Sequence, residues 1–139
     1  MDLSYLVTPF IAWLVAGCAK FAINTFRAKR LAFDLIGYGG LPSNHSSIVS
    51  SAAAIVAFNE GLQEPALVVA LALAFIVILD ASSLRQQIGK HAKAINILNK
   101  GNPAPALRER MGHTRLEIAA GIVTGIFSAG LVHHFFSVL

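Results

Sequence analysis

A chain of 139 residues, 55% of them hydrophobic and only 13% charged, holds one domain, with about half the charged share of a soluble one. With a mean hydropathy of +0.65, apolar runs this long and even exclude a soluble helix bundle and point to an integral membrane protein. The net charge is +4, yet all 11 Lys and Arg fall within residues 20–30 or 85–115. Both windows flank apolar runs, so nucleic acid is excluded as a partner in favour of membrane lipids or a phosphate-bearing substrate.

The first apolar segment, residues 3–26, is long enough to cross a ~30 Å hydrocarbon layer as a helix. It lacks a basic leader before it and an Ala-x-Ala-type processing site after it, so it reads as a retained span rather than a cleaved signal. Pro9 marks a kink or the true helix start, and Lys20 sits where its stem can snorkel towards headgroups. Cys18, the lone cysteine, offers neither a disulfide framework nor a metal quartet and is expected as a small buried apolar side chain. A basic loop from Arg27 to Arg30 follows, then a short apolar patch at 31–36, expected at the interface.

The second span, about 43–58, is rich in Ser and Ala. Small faces let helices pack closely in lipid, so it is expected at the centre of the bundle. Asn59, Glu60 and Gly61 end it, and Pro65 stands where proline favours a helix start. The third span, about 66–79, is almost purely aliphatic and ends at Asp80, with Arg85 beyond. Residues 83–99 read as an amphipathic helix, with Leu84, Ile88, Ile95 and Leu98 on one face and Arg85, Gln86, Lys90 and Lys93 on another, suited to lying on an anionic membrane surface. Gly and Pro at 101–105 break it. The last span, about 114–136, carries Gly121, Gly125 and Gly130 as a close-packing stripe.

The expected fold is therefore all-α: a membrane bundle of about four transmembrane helices plus an interfacial amphipathic helix, in one domain over residues 1–139. An even number of spans puts both termini on one side and both basic loops on the other. The positive-inside rule assigns those loops to the cytoplasm of a cell whose inner membrane holds the protein, with both termini and the Glu60/Glu64 loop outside.

At the cytoplasmic edge this topology gathers the residues able to do chemistry. Lys20 and Arg27 are seven apart and share a helix face. The stretch Gly39-Gly40-Leu41-Pro42-Ser43-Asn44-His45 opens a helix whose first N–H groups are unpaired and attract anions. Asp80 and Arg85 follow the third span, and His113 and Glu117 stand four apart at the start of the fourth. Ionisable groups at membrane depth are costly and usually functional. Cations and N–H donors stabilise a phosphoryl group in transfer. One histidine can attack phosphorus and the other protonate the leaving oxygen, with a carboxylate fixing the tautomer of one of them. His113 and Glu117 alone are too few ligands for zinc, and no metal or other cofactor is expected.

Lys20-x6-Arg27, then Pro42-Ser43-Asn44-His45, then a downstream Arg with His113-x3-Glu117 resembles the three-part signature of the type 2 phosphatidic acid phosphatase superfamily. It is most similar to that superfamily's short divergent branch, the acid phosphatase/vanadium-dependent haloperoxidase related membrane proteins, over nearly the whole chain. The resemblance implies a phosphohistidine mechanism without a metal. His113 would be the nucleophile, Glu117 its orienting group and His45 the general acid. Lys20, Arg27, Ser43 and one further arginine would hold the phosphate: Arg85, just past a span end, with Arg108 as the alternative. Asn44 stands beside that phosphate where the superfamily has Gly, Ala28 follows Arg27 where it has Pro, and Glu117 replaces Asp. If Arg85 serves, residues 83–110 form an insertion over the site.

The function expected is a membrane phosphatase for a lipid phosphate, such as phosphatidylglycerophosphate, phosphatidate or a polyprenyl phosphate. The alternative is a non-catalytic membrane protein that uses the same pocket to bind anionic headgroups or a partner. Vanadate-dependent halide oxidation is a remote third. Small-residue faces on short spans would also allow a homodimer.

Overall fold

The computed structural model describes residues 3–31, 33 and 40–138; most of the 31–36 patch and Gly39 lie outside the described residues. These form five helices and no strand: α1 (Ser4–Ala28), α2 (Asn44–Glu60), α3 (Pro65–Leu79), α4 (Arg85–Leu98) and α5 (Arg115–Val138), with a π-turn at Asp80–Leu84 between α3 and α4. The all-α expectation holds.

Each helix starts or stops for a local reason. α1 runs unbroken through Pro9, so its start is Ser4, and it ends where Lys29 adopts a left-handed φ of 51°. Ser43 caps α2: its backbone is extended and its Oγ accepts the Ser46 N–H at 3.3 Å. Gly61 stops α2 at a φ of 89°, with its N–H on the Ala57 carbonyl. Pro65 occupies the first turn of α3, where no amide hydrogen is needed.

α2 is the central helix, packed against α1, α3 and α5, while α1 also packs on α5. Its buried face is Ser46, Ser47, Val49, Ser50, Ser51, Ala53 and Ile55. The α2–α5 seam is close because α5 presents bare backbone there. A Cβ on Gly121 would lie 2.5 Å from the Ser43 carbonyl oxygen, and one on Gly125 2.4 Å from that of Ser47. Ser47 Oγ donates to the Gly121 carbonyl at 2.9 Å across the seam. Gly130, the third member of the expected stripe, has only ordinary contact with Phe58 at 3.9 Å.

Among the described residues, three helices are long and apolar enough to cross a membrane: Ser4–Ala28, the continuous Pro65–Leu98 and Arg115–Val138. Their outward faces carry Phe10, Trp13, Val69, Phe75, Val123 and Phe127, all exposed, a belt that would aggregate in water. Cys18 is also exposed, on this outer surface rather than in the core. The reason is that the packed face of α1 is its small stripe Ser4, Thr8, Ala12 and Ala16, and Cys18 lies off it.

The amphipathic segment departs from expectation. It is not a separate helix: α3 runs through the π-turn into α4 as one helix of 34 residues, about 51 Å long. Its packed residues are Gly89 and Ala92, whereas Leu84, Ile88, Ile95 and Leu98 stay exposed. The chain then turns at 99–102 and comes back along α4, held by Asn96: Oδ1 accepts the Leu107 N–H and Nδ2 donates to the Leu107 carbonyl, both at 2.8 Å.

The helices alternate in direction, which gives the bundle two distinct ends. One gathers the end of α1, the start of α2, the π-turn and the start of α5. At the other, Tyr5 donates its hydroxyl to Glu60 Oε1, Asn59 Nδ2 donates to Ser4 Oγ at 2.9 Å, and His133 Nδ1 lies 2.6 Å from Asn59 Oδ1. His133 is thus part of a latch joining α1, α2 and α5.

Candidate active site

The first of the two ends is built around His113, which precedes α5 and is 7% exposed. Its backbone is fastened on both sides to the π-turn. The His113 N–H donates to the Ala81 carbonyl at 2.9 Å, and the His113 carbonyl accepts from Gln86 Nε2 at 3.0 Å. A π-turn shifts the helical hydrogen bonds by one residue; here the Arg85 N–H goes to the Asp80 carbonyl, which leaves Ala81's carbonyl to accept from outside the helix. Gly112 makes the approach possible. Its φ is 83°, and a Cβ there would lie 2.8 Å from Gln86 Cγ and 3.2 Å from the Ala81 oxygen.

Glu117 acts twice. Its Oε2 accepts the Thr114 N–H at 2.9 Å while Thr114 Oγ1 accepts the Glu117 N–H at 3.2 Å, a capping box that starts α5. The same oxygen lies 3.2 Å from His113 Nδ1. A carboxylate only accepts, so this contact puts the imidazole hydrogen on Nδ1 and leaves the Nε2 lone pair open. Burial pushes the His113 pKa below its ordinary value; the hydrogen bond to Glu117 opposes this, and the charges of Lys20 and Arg85 reinforce it. The imidazole is therefore neutral at pH 7.

His45, in the first turn of α2, faces His113 with ring centroids 6.1 Å apart and planes tilted by 58°. It lies in the field of Arg85, His113, Lys20 and Asp80, and Lys20 in that of Glu117. Fold and field thus bring Lys20, His45, Asp80, Arg85, His113 and Glu117 to one place. The buried Asn44 Oδ1 and His45 Nδ1 have no hydrogen-bond partner among the described residues, an unusual state for buried polar atoms. Asn44 is accommodated because α1 offers Gly17 opposite: a Cβ there would lie 3.9 Å from Asn44 Nδ2.

The remaining sequence candidates fall differently. Ser43 is fully buried; its hydroxyl oxygen accepts from the Ser46 N–H and from Ser46 Oγ at 3.0 Å, which leaves its own proton to give, and its N–H is bound to the Glu117 carbonyl at 2.9 Å. Arg85 Nε donates to Asp80 Oδ2 at 2.8 Å, both side chains about a third exposed. The extra residue of the π-turn puts positions i and i+5 where i and i+4 would otherwise face each other. Arg27 is exposed in the last turn of α1. Arg108 is exposed on the returning segment, with Nε on the Arg110 carbonyl at 3.3 Å. Of the two candidate arginines, Arg85 is the one whose charge acts on both histidines. Sequence reasoning missed Gln86 and the Ala81 carbonyl, which carry no motif, and the Thr-x-x-Glu capping box, which was readable at 114–117.

Fold and site together define a helical membrane protein that concentrates two histidines, their carboxylate and two cations at one end of its bundle. Residues 1–128 match the profile of the Divergent PAP2 family, and the chain belongs to it. It is also similar to a Bacillus subtilis (strain 168) protein described as "Uncharacterized membrane protein YuiD", 28% identical over 149 residues and covering 94% of each chain. No solved structure matches.

Proposed function

We propose that this protein is a membrane phosphatase that hydrolyses a lipid phosphate through a phosphohistidine. The observation that carries the reading is the facing pair His45 and His113 at 6.1 Å, with His113 tied through Nδ1 to Glu117. His113 Nε2 attacks phosphorus and the bond from phosphorus to the ester oxygen breaks. His45 gives that oxygen its proton, and Glu117 supports the positive charge that develops on His113. Lys20 and Arg85, at the positive end of the α2 dipole, hold the non-bridging oxygens. In the second half His45, now neutral, takes a proton from water. The water oxygen bonds to phosphorus, and the phosphorus–nitrogen bond breaks to free phosphate and His113.

The reading extends to placement. α1 and α3 both begin at the latch end, so α2 must run the full distance between the two ends; at 17 residues it is about 26 Å long, close to the hydrocarbon thickness. We therefore take α2 as a fourth crossing. The positive-inside rule puts the histidine end in the cytoplasm and both termini outside, so the substrate is a phosphatidylglycerophosphate, phosphatidate or polyprenyl phosphate of the inner leaflet.

The test is turnover of a panel of lipid phosphates labelled on the terminal phosphate, with alkaline quench. The expected result is label on wild-type protein at His113 and none on His113→Ala. If the panel binds without phosphate release or label, the pocket is a headgroup-binding site instead, a reading favoured by Asn44 in place of the superfamily's glycine.

A further inference from the structure

A second polar feature lies outside the histidine pocket. Between Gly89, Lys90 and Lys93 of α4 and Glu109, Arg110 and Met111 of the returning segment there is an open groove of about 350 Å³. Its walls are fixed to each other. Asn96 clamps Leu107 by two hydrogen bonds and gives a third, at 2.9 Å, to Glu109 Oε1. Beneath the groove the Glu109 carbonyl passes so close to Gly89 that a Cβ there would lie 2.4 Å from it.

The charge of this groove is unbalanced. Lys90 and Lys93 are three apart on one helix face, and Arg110 stands opposite. The one carboxylate in the lining, Glu109, is engaged by the Asn96 amide. Like charges held this close cost stability unless an anion joins them. Depth supplies the second argument. Residues 86–93 lie roughly 10–20 Å past Leu79 along the helix, in the headgroup layer and the water just beyond it. Leu84, exposed on the bilayer side of the groove, is of the kind that enters acyl chains. Gln86 also lines the groove, and its amide holds the His113 carbonyl, so the two sites are adjacent but separate.

We infer that this groove binds the phosphodiester headgroup of an anionic phospholipid. The binding does not depend on turnover at the histidines. The test uses the full-length protein in neutral detergent, titrated calorimetrically with dihexanoyl phosphatidylglycerol below its micelle concentration, with dihexanoyl phosphatidylcholine and inorganic phosphate as separate arms. Lys90→Gln/Lys93→Gln should weaken phosphatidylglycerol binding roughly 10- to 30-fold, as should raising the salt from about 0.05 to 0.5 M. His113→Ala should leave it unchanged. Arg110→Gln, on the exposed return, should give the same loss if the double variant aggregates. Equal binding by wild type and the groove variants overturns the inference, as does equal affinity for phosphatidylcholine. Loss of binding in His113→Ala would place the lipid in the histidine pocket. Displacement by an equal concentration of inorganic phosphate would show a bare anion site rather than a lipid one. Either of these also overturns it.

Discussion

The two ends of the bundle use similar side chains to opposite effect. At the latch end Ser4, Tyr5, Asn59, Glu60 and His133 pair with one another across three helices. At the other end His45 and Asn44 keep buried atoms without a partner among the described residues, and Lys20 and Arg85 crowd their charge on two histidines. A polar cluster that satisfies itself holds helices together. One that leaves donors, acceptors and positive charge open is shaped for something it does not contain.

That contrast is broken most sharply by exchanging which histidine is lost. His113→Ala should cut phosphate release by ~10³-fold or more, as for loss of a covalent nucleophile, measured as inorganic phosphate from a lipid phosphate. Next in size is Gly112→Ala. The added Cβ has no room against Gln86 and Ala81, so His113 must shift, and a displacement of ~1 Å is worth about 10² in rate. The histidine-to-carboxylate contact persisting in a crystal structure of that variant at full activity would refute the clamp.

Glu117→Gln should lower the maximal rate ~10-fold or more and also move its pH dependence. Burial holds the His113 pKa down while Glu117 raises it. His113, as the proposed nucleophile, is neutral above that depressed pKa, and activity should fall as pH drops through it, below the ordinary value of about 6.5. Without Glu117 the acid limb should move to still lower pH. The same depression means that protonation of His113 opposes folding. Stability should be full above about pH 6.5 and decline below it, since the unfolded chain binds the proton more readily. Asp80→Asn, which frees Arg85 from its 2.8 Å partner, should raise KM a few-fold, about the worth of an exposed charge pair, with kcat less affected. Smallest of all in activity is His133→Ala at the latch: turnover within about twofold of wild type, with a stability loss of about 0.5–1.5 kcal/mol for one hydrogen bond, read by thermal unfolding in detergent.

Much of this contrast was legible in the sequence, because charge in so apolar a chain is sorted by depth. Lys20, His45, Arg85, His113 and Glu117 fell at span ends and the structure brings them together. The latch was not legible: Asn59 and His133 are 74 residues apart and carry no motif. Cys18 was misplaced because lipid tails are as apolar as a protein core, so in α1 the inner face is marked by the small stripe Ser4, Thr8, Ala12 and Ala16 rather than by hydrophobicity. The continuity of α3 and α4 was hidden by Asp80 and Arg85, whose charges read as the end of a helix when they are a pair joined across its π-turn.

That π-turn has a consequence for how the site is inherited. It is one residue of surplus length, and the site depends on the count rather than on any side chain within it. Removing Ser82 or Ser83 would leave every candidate residue in the chain, yet it would turn the π-turn back into regular α-helix. Arg85 would then stand four residues from Asp80 and could still pair with it, but the Ala81 carbonyl would return to the helical ladder and release the His113 N–H. A frame of this kind is indifferent to most substitutions and intolerant of a single-codon gap. Among relatives, an alignment unbroken between Asp80 and Arg85 would be a better guide to a working site than the identity of the residues between them.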